Sequence, residues 1–370
     1  MKILEQMKII ENGGVQSFVF NTTSLITSND ISFYSDVPST SPHYDAVINE
    51  CGRMVYYPSC DFTKVKSRLK RIIGKRIAFF KFLKLNKFDI VHINASRTHD
   101  VSYAVAARLA GCKKVIIHIH NAVIENKLSA RFIDSLSRML VYCSGDIFLA
   151  CSERAALYMF PKRIIEQNKY TIINNGIFSE KFVFNTSKRD YCRHKLNIDD
   201  KLVIGNVGRL SYLKNHRFLL RIFSEIKKKA DNSVLIIVGG GELEDELIAL
   251  ANELDISESI IFIGEAADTS EYLCAMDAFV MPSLSEGLGI AAIEAQCCGL
   301  KTFCSDTVPK EAAVTDLCSF IPLSADAADW ADRILSCCIG YERTDRTNDI
   351  QRAGYDIRST ANLLNQIYNS

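Results

Sequence analysis

The sequence predicts an α/β protein built from two doubly wound Rossmann-like domains that face each other across a cleft. Three observations carry that expectation. Short apolar strand candidates alternate with helical patterns along the whole chain, glycines fall where strands hand over to helices, and 370 residues exceed what one hydrophobic core supports. Strands this apolar need cover on both faces, which is the signature of parallel sheets with helices on either side.

The first strand opens at Lys2-Ile3-Leu4 and continues, unusually, through Gln6-Met7-Lys8. Asn12-Gly13-Gly14-Val15 joins it to its helix, and the glycines let backbone approach a ligand closely. Further strands are expected at Asp89–Ile93, Val115–Ile119 and Asp146–Ala150, before Asn174-Asn175-Gly176-Ile177 closes the block. The best domain boundary lies near residues 180 to 200, where the polar stretch Asn185–Asp190 precedes the next strand. The N-terminal domain is therefore expected over 1–180 and a second over 195–347, with strands at Leu202–Gly205, Val234–Val238, Ile260–Ile263 and Ala278–Pro282. Residues 348–370 carry one helical pattern through Ile350, Ala353, Ile357, Ala361, Leu364 and Ile367, expected to cross back to the first domain.

The 48% hydrophobic content is enough for two cores, and the net charge of +1 hides an asymmetry. Residues 1–180 hold 24 Lys and Arg against 15 Asp and Glu, and the remainder 20 against 28. Thirteen cysteines include no Cys-x-x-Cys pair, and several sit in apolar strand or helix patterns, so they read as reduced, buried small hydrophobes of a cytosolic protein. No apolar run approaches the ~18 residues of a membrane span, so the chain is expected to be soluble or peripheral.

Chemistry concentrates at the carboxyl edges of strands, where open α/β sheets bind ligands. Ser285-Glu286-Gly287-Leu288-Gly289-Ile290-Ala291-Ala292-Ile293-Glu294 sets two carboxylates eight residues apart around glycines that open a helix. Unpaired helix-opening amides hold anions, and the glutamates accept hydrogen bonds from hydroxyls, so the pattern reads as a nucleotide-sugar grip. Gly208-Arg209-Leu210-Ser211-Tyr212-Leu213-Lys214-Asn215-His216 joins another strand to a helix expected from about Lys214 to Lys229. A guanidinium fork at Arg209 and an ammonium at Lys214 suit a diphosphate. Gly239-Gly240-Gly241-Glu242 lacks the third glycine of a dinucleotide fingerprint, because position 244 is glutamate, and reads as a tight turn. Ile117-His118-Ile119-His120-Asn121 ends a strand with both histidines on one face, and His120 is the better candidate for a polar role at a site. No Asp-x-Asp presents a divalent cation, so charge neutralisation falls to Arg209, Lys214 and helix amides.

Taken in order, these motifs resemble glycosyltransferase family 4, of the GT-B fold, over essentially the whole chain, and most resemble its bacterial exopolysaccharide and capsule members. The resemblance rests on Gly13-Gly14-Val15, His120-Asn121, Ala150-Cys151-Ser152, Asn174-Asn175-Gly176-Ile177, Gly208-Arg209, Lys214-Asn215-His216, Val238-Gly239, Met276-Asp277, the Glu286 and Glu294 pair, and Ser305–Glu311. It implies retaining, metal-independent transfer from a nucleotide-sugar, uridine-based by family habit, without a cofactor. Glu294 would hold the ribose hydroxyls, and Arg209 and Lys214 the diphosphate. Glu286 with Gly287, Leu288 and Gly289 would hold the donor sugar, with Gly208 and Gly264 completing the donor pocket. Gly13 and Gly14 would approach the diphosphate, and His120 the transferred sugar. Lys301 stands where related sequences often carry proline. A catalytically silent nucleotide-sugar-binding subunit and a nucleotide-sugar epimerase remain as alternatives.

Lys64 to Lys87 carries ten Lys and Arg and no acidic residue, interleaved with apolar side chains. It reads as a cationic amphipathic helix for an anionic membrane surface, at about 1 kcal/mol per basic residue near the leaflet. The expected acceptor is a polyprenyl-diphosphate-linked saccharide, the expected location is the inner face of the cytoplasmic membrane, and no nucleic-acid module accompanies the basic segment.

Overall fold

In the computed structural model, residues 1–10, 14–39, 42–120, 138–338 and 341–370 are described. Asn12, Gly13 and Asn121, part of the motifs above, lie outside them. The chain divides into two units, Met1–Gly176 together with Ile357–Ser370, and Ile177–Asp356.

The first unit is built on strands β1 (Lys2–Met7), β2 (Asp30–Ser35), β3 (Val55–Tyr56), β4 (Ile90–Ala95), β5 (Lys114–Ile119), β6 (Ile147–Ala150) and β7 (Thr171–Ile172). They form one parallel sheet in the order β3-β2-β1-β4-β5-β6-β7. The second unit repeats the plan with β8 (Leu202–Val207), β9 (Ser233–Val238), β10 (Ile260–Gly264), β11 (Ala278–Met281), β12 (Lys301–Ser305) and β13 (Cys318–Ile321). Its order is β10-β9-β8-β11-β12-β13, again parallel. In each sheet the chain starts at the centre, winds to one edge and returns to wind to the other. The carboxyl ends of β1 and β4, and of β8 and β11, are therefore topological switch points, where adjacent loops diverge and leave room for a ligand.

The local sequence explains these elements. β4 and β9 are buried at every position, which accounts for the apolar majority of both, with His92 and Asn94 the polar exceptions in β4. The helix His216–Lys229 buries Leu219, Leu220, Ile222, Phe223 and Ile226 at helical spacing and ends in Lys227, Lys228 and Lys229, which oppose the negative end of its dipole. The helix Thr186–Leu196 is capped by the Asn185 side chain, which accepts from the amide of Lys188. All thirteen cysteines are free thiols.

Two segments depart from the sequence reading. The polar stretch at the expected domain boundary, read without a helix, is the start of that Thr186–Leu196 helix. Arg189 and Arg193 fasten it to Asp277 at 2.6 and 2.7 Å, so its polarity serves an ion-pair clamp in place of an apolar face. The C-terminal pattern read as one helix is two, Thr347–Arg352 and Ile357–Asn369. Between them Gly354 takes φ +76, a left-handed conformation that ends a helix. The first helix belongs to the second unit and the last packs Ala361, Leu364 and Tyr368 into the core of the first.

Candidate functional site

In the second unit, three strand ends are laced together by backbone. Gly208 follows β8 and donates its amide to the Val238 carbonyl at 2.9 Å, and Gly239 donates to the Gly264 carbonyl at 2.8 Å. Gly239 has φ +135, and a Cβ there would lie 2.2 Å from the Gly208 carbonyl oxygen, so only glycine permits this crossing. The Gly239–Gly241 run is thus a close backbone crossing, which explains why it fails as a dinucleotide fingerprint.

The loops after β8 and β11 meet above this edge, where the Leu284 amide donates to the Leu213 carbonyl at 2.8 Å. Lys214 sits in the short turn Tyr212–Lys214, before the helix that starts at His216. This corrects the expected helix start, because Asn215 turns the chain through the left-handed region at φ +56. The Asn215 side chain donates to the Pro282 carbonyl at 3.0 Å. Lys214 Nζ lies 2.7 and 2.8 Å from the two oxygens of Glu286, whose side chain is only 9% exposed. Ser283 also donates to Glu286 Oε1, at 2.6 Å. The Ser283 carbonyl in turn accepts from the hydroxyls of Ser305 and Thr307, at 2.5 and 2.6 Å. Beneath the turn, Asn206 donates to the Val280 carbonyl at 2.7 Å, which leaves its oxygen to accept from His216 Nε2 at 3.0 Å. Burial, with the Lys214 charge, holds His216 down to about 4, so it is neutral and structural.

The structure does not align Arg209 with Lys214. Arg209 is 63% exposed and reaches Glu242 at 3.4 Å. Gly287 and Leu288 follow Glu286, and Gly289 at φ +91 opens the helix Ile290–Cys297. Leu288 is buried in the core, whereas Glu294 on that helix is half-buried. Burial, with help from the negative charge of Asp268, pushes the Glu294 carboxyl up to about 8. Asp268 lies just beyond Gly264, which has φ +74 and open space where a Cβ would be. Of the residues predicted for the donor, the structure joins Lys214 to Glu286 and laces Gly208 to the Gly264 edge. It leaves Arg209 to an outer contact.

In the first unit, Gly14 begins the helix Gly14–Ser24 and is exposed. His120 follows β5, is buried, and places Nε2 2.8 Å from Asn94 Oδ1 on neighbouring β4. Its ring packs 3.9 Å from that of His118 and 5.0 Å from Phe18. The basic segment forms the helix Arg68–Leu85, but its cations are not all available. Lys75 bonds Asp36 at 3.0 Å, while Arg76 bonds Ser102 at 2.8 Å and lies over the Tyr103 ring.

Sequence reasoning missed Ser283, Asn206 and Asn94. Ser283 carries a faint signal in its place three residues before Glu286. The other two are polar positions inside strands, which periodicity alone does not read.

Residues 12–181 match the family model described as Glycosyltransferase Family 4, and residues 188–351 match Glycosyl transferases group 1. An uncharacterised glycosyltransferase of Methanocaldococcus jannaschii is 31% identical over 274 residues, which span 69% of this chain and 68% of that protein. The chain belongs to glycosyltransferase family 4. The transferase is also 26% identical over its whole length to EpsF of Bacillus subtilis, a protein named as a glycosyltransferase, covering 96% of it. It is 32% identical to an Escherichia coli enzyme named UDP-Gal:alpha-D-GlcNAc-diphosphoundecaprenol alpha-1,3-galactosyltransferase, over 62% of this chain and 61% of that one. Among solved structures, Anabaena Alr3699/HepE in complex with UDP and glucose superposes on the transferase with a TM-score of 0.81 at 15% identity, covering 100% and 99% of the two chains. That likeness shows the GT-B fold.

Proposed function

We propose that the transferase moves a sugar, with retention at the anomeric carbon and without a metal ion, from a uridine-diphosphate sugar to a polyprenyl-diphosphate-linked saccharide in polysaccharide synthesis. The observation that carries the donor half is the Lys214–Glu286 pair at the β8/β11 switch point, held by Ser283 and Asn215. Breaking a glycosyl phosphate bond leaves negative charge on the diphosphate, and a fixed ammonium there stabilises the transition state more than the ground state. In this reading Arg209 leaves Glu242 to join Lys214 on the diphosphate. Glu286 and the amides of Gly287 to Gly289 take the sugar, His120 meets the transferred sugar, and Glu294 takes the ribose hydroxyls.

Retention without a covalent intermediate fits the state of Glu286. Both its oxygens are engaged by Lys214 and one also by Ser283, which leaves it a positioning group and a poor nucleophile. The relative from E. coli, with UDP-galactose and a diphosphoundecaprenol acceptor in its name, supports the substrate classes.

Calorimetric titration with UDP, GDP and ADP in EDTA, followed by sugar release from the matching nucleotide sugars, tests the donor half. UDP-selective binding is expected, and binding by no nucleotide would end the reading. A proton linkage accompanies it. Glu294 is held near 8, above its unfolded value, so it contributes stability at low pH that is lost as pH rises through about 8. Ribose hydroxyls donating to the carboxylate favour its ionised form, so UDP binding at pH 7 is expected to release close to one proton. Titration in buffers of different ionisation enthalpy measures this, and in Glu294→Gln the release should vanish. An unchanged release in that variant would take Glu294 out of the role.

The acceptor half places the first unit on an anionic membrane surface. On the helix Arg68–Leu85, Leu69, Ile73 and Ile77 form an i, i+4, i+8 row exposed by 67%, 49% and 49%. Exposed Lys70 and Lys81 sit on the same helix. No helix of the described residues is long and apolar enough to cross a membrane. An apolar row beside lysines suits partial insertion under headgroups. Sedimentation with phosphatidylglycerol vesicles at low salt should retain the protein and lose the Ile73→Glu, Ile77→Glu variant; equal retention of the two would reject this surface.

A further inference from the structure

A polar row crosses one face of the first unit's sheet inside an otherwise apolar layer. Glu5 and His92 are register partners on β1 and β4, as are Asn94 and His118 on β4 and β5. Asn94 lies two residues beyond His92, and His120 two beyond His118, so all five side chains leave the same face. Tyr368 closes the row from the last helix, and Phe18 packs on His118 and His120.

Glu5 is 1% exposed. It accepts from Asn94 Nδ2 at 2.7 Å, from His92 Nδ1 at 3.0 Å, and from the Tyr368 hydroxyl. Burial works against its ionisation, but the His92 charge and the bonds from His92, Tyr368 and Asn94 hold its carboxyl below the usual carboxylate range. An ionised carboxylate only accepts, so Asn94 turns its NH2 toward Glu5 and its oxygen toward His120. That oxygen also only accepts, so His120 Nε2, 2.8 Å away, carries the proton. Burial, and the charge of His92, hold His120 down to about 3, which keeps the ring neutral and Nδ1 bare. Nδ1 has no hydrogen-bond partner among the described residues.

We propose that Glu5 and Asn94 are positioning residues that lock His120 as its Nε2–H tautomer and so present Nδ1 as a hydrogen-bond acceptor for a saccharide hydroxyl. The inference rests on the reading of His120 as the residue that meets the transferred sugar. The lock itself is a property of the resting protein and is measured without substrate.

Glu5→Gln makes the sharpest variant. Keeping the two donors His92 and Tyr368 on its oxygen puts the new NH2 opposite that of Asn94, and relief of the clash flips Asn94. The flipped amide then donates to His120 Nε2 and drives the proton to Nδ1, turning an acceptor into a donor. Tyr368→Phe also removes a buried hydrogen bond from Glu5 but leaves Asn94 untouched, so it reports the purely structural effect.

The experiment is a two-bond nitrogen–proton correlation spectrum of the full chain, with the His120 signals assigned by their loss in His120→Gln, run beside UDP-sugar kinetics. Wild type and Tyr368→Phe are expected to show a bare Nδ1 and a protonated Nε2, and Glu5→Gln the reverse. Glu5→Gln should lower kcat by about tenfold while the KM for the nucleotide sugar stays within about twofold, as for a bond made only in the transition state. A protonated Nδ1 in wild type, an unmoved tautomer in Glu5→Gln, or a flipped tautomer with unchanged kcat would each overturn the proposal. If wild type transfers no sugar, the functional reading fails, while the spectra still decide the lock.

Discussion

Alanine at Lys214 is expected to lower kcat/KM by about a thousandfold, toward the upper end of what removing one preorganised charge partner costs. Two effects combine. The ammonium proposed to face the leaving diphosphate is gone, and Glu286, whose side chain is 9% exposed, loses the cation that now lies 2.7 and 2.8 Å from its oxygens. An orphaned carboxylate in that loop keeps its bond from Ser283 but, in the proposed role, repels an anionic donor. Glu286→Gln relieves the second effect alone, so the double variant should be no slower than Lys214→Ala. Initial rates of sugar release for the four members of this cycle decide it. A loss below tenfold for Lys214→Ala would separate this lysine from the leaving group, and strict additivity would show that the pair does not act as a unit.

Replacement of Asp277 by alanine should carry the largest stability effect, about 2–3 kcal/mol. Its carboxylate receives Arg189 at 2.6 Å, Arg193 at 2.7 Å and the amide of Val203 at 2.8 Å. Losing one partner of a buried ion pair costs about 3–5 kcal/mol, and the partial exposure of this carboxylate brings the figure down. The chain has a single tryptophan, Trp330, fully buried in the second unit, so its emission follows that unit through urea unfolding. A midpoint shift equivalent to less than about half a kcal/mol would mean that the Thr186–Leu196 helix is held by packing.

The strands that were legible are those whose environment leaves the sequence no choice. β4, β5, β8 and β9 are covered on both faces and read as mainly apolar runs, with only a few polar residues such as His92, His118 and Asn206 set among them. β2, with the sequence DISFYS, and β12, with KTFCS, are nearly as buried yet mix serine, threonine, aspartate and lysine with apolar residues, and no pattern distinguishes them from loop. The helix Thr186–Leu196 was invisible for a related reason, since ion pairs hold it where periodicity looks for an apolar stripe. At the candidate site, the glycines and the charged residues announce themselves because few other roles require them at strand ends. Their supports do not, because Ser283, Asn206 and Asn94 acquire meaning only from partners 3, 74 and 26 residues away. Glu5 was the clearest overlooked signal: a carboxylate in the middle of an apolar strand demands a compensating partner somewhere in the fold.

The return of the last helix sets the order in which this chain can mature on the ribosome. Tyr368 bonds Glu5 across 363 residues, and Ala361 and Leu364 complete the layer over Ile3 and Met7. The second unit is continuous and can finish folding as it emerges. The first must wait, with part of one side of its sheet uncovered and the Glu5 carboxylate short of a donor, until a helix made after the whole second unit arrives. Nascent chains stalled before Ile357 should accordingly carry a cooperative second unit beside a first that is protease-sensitive and binds chaperones, the cost of a contact this distant in sequence.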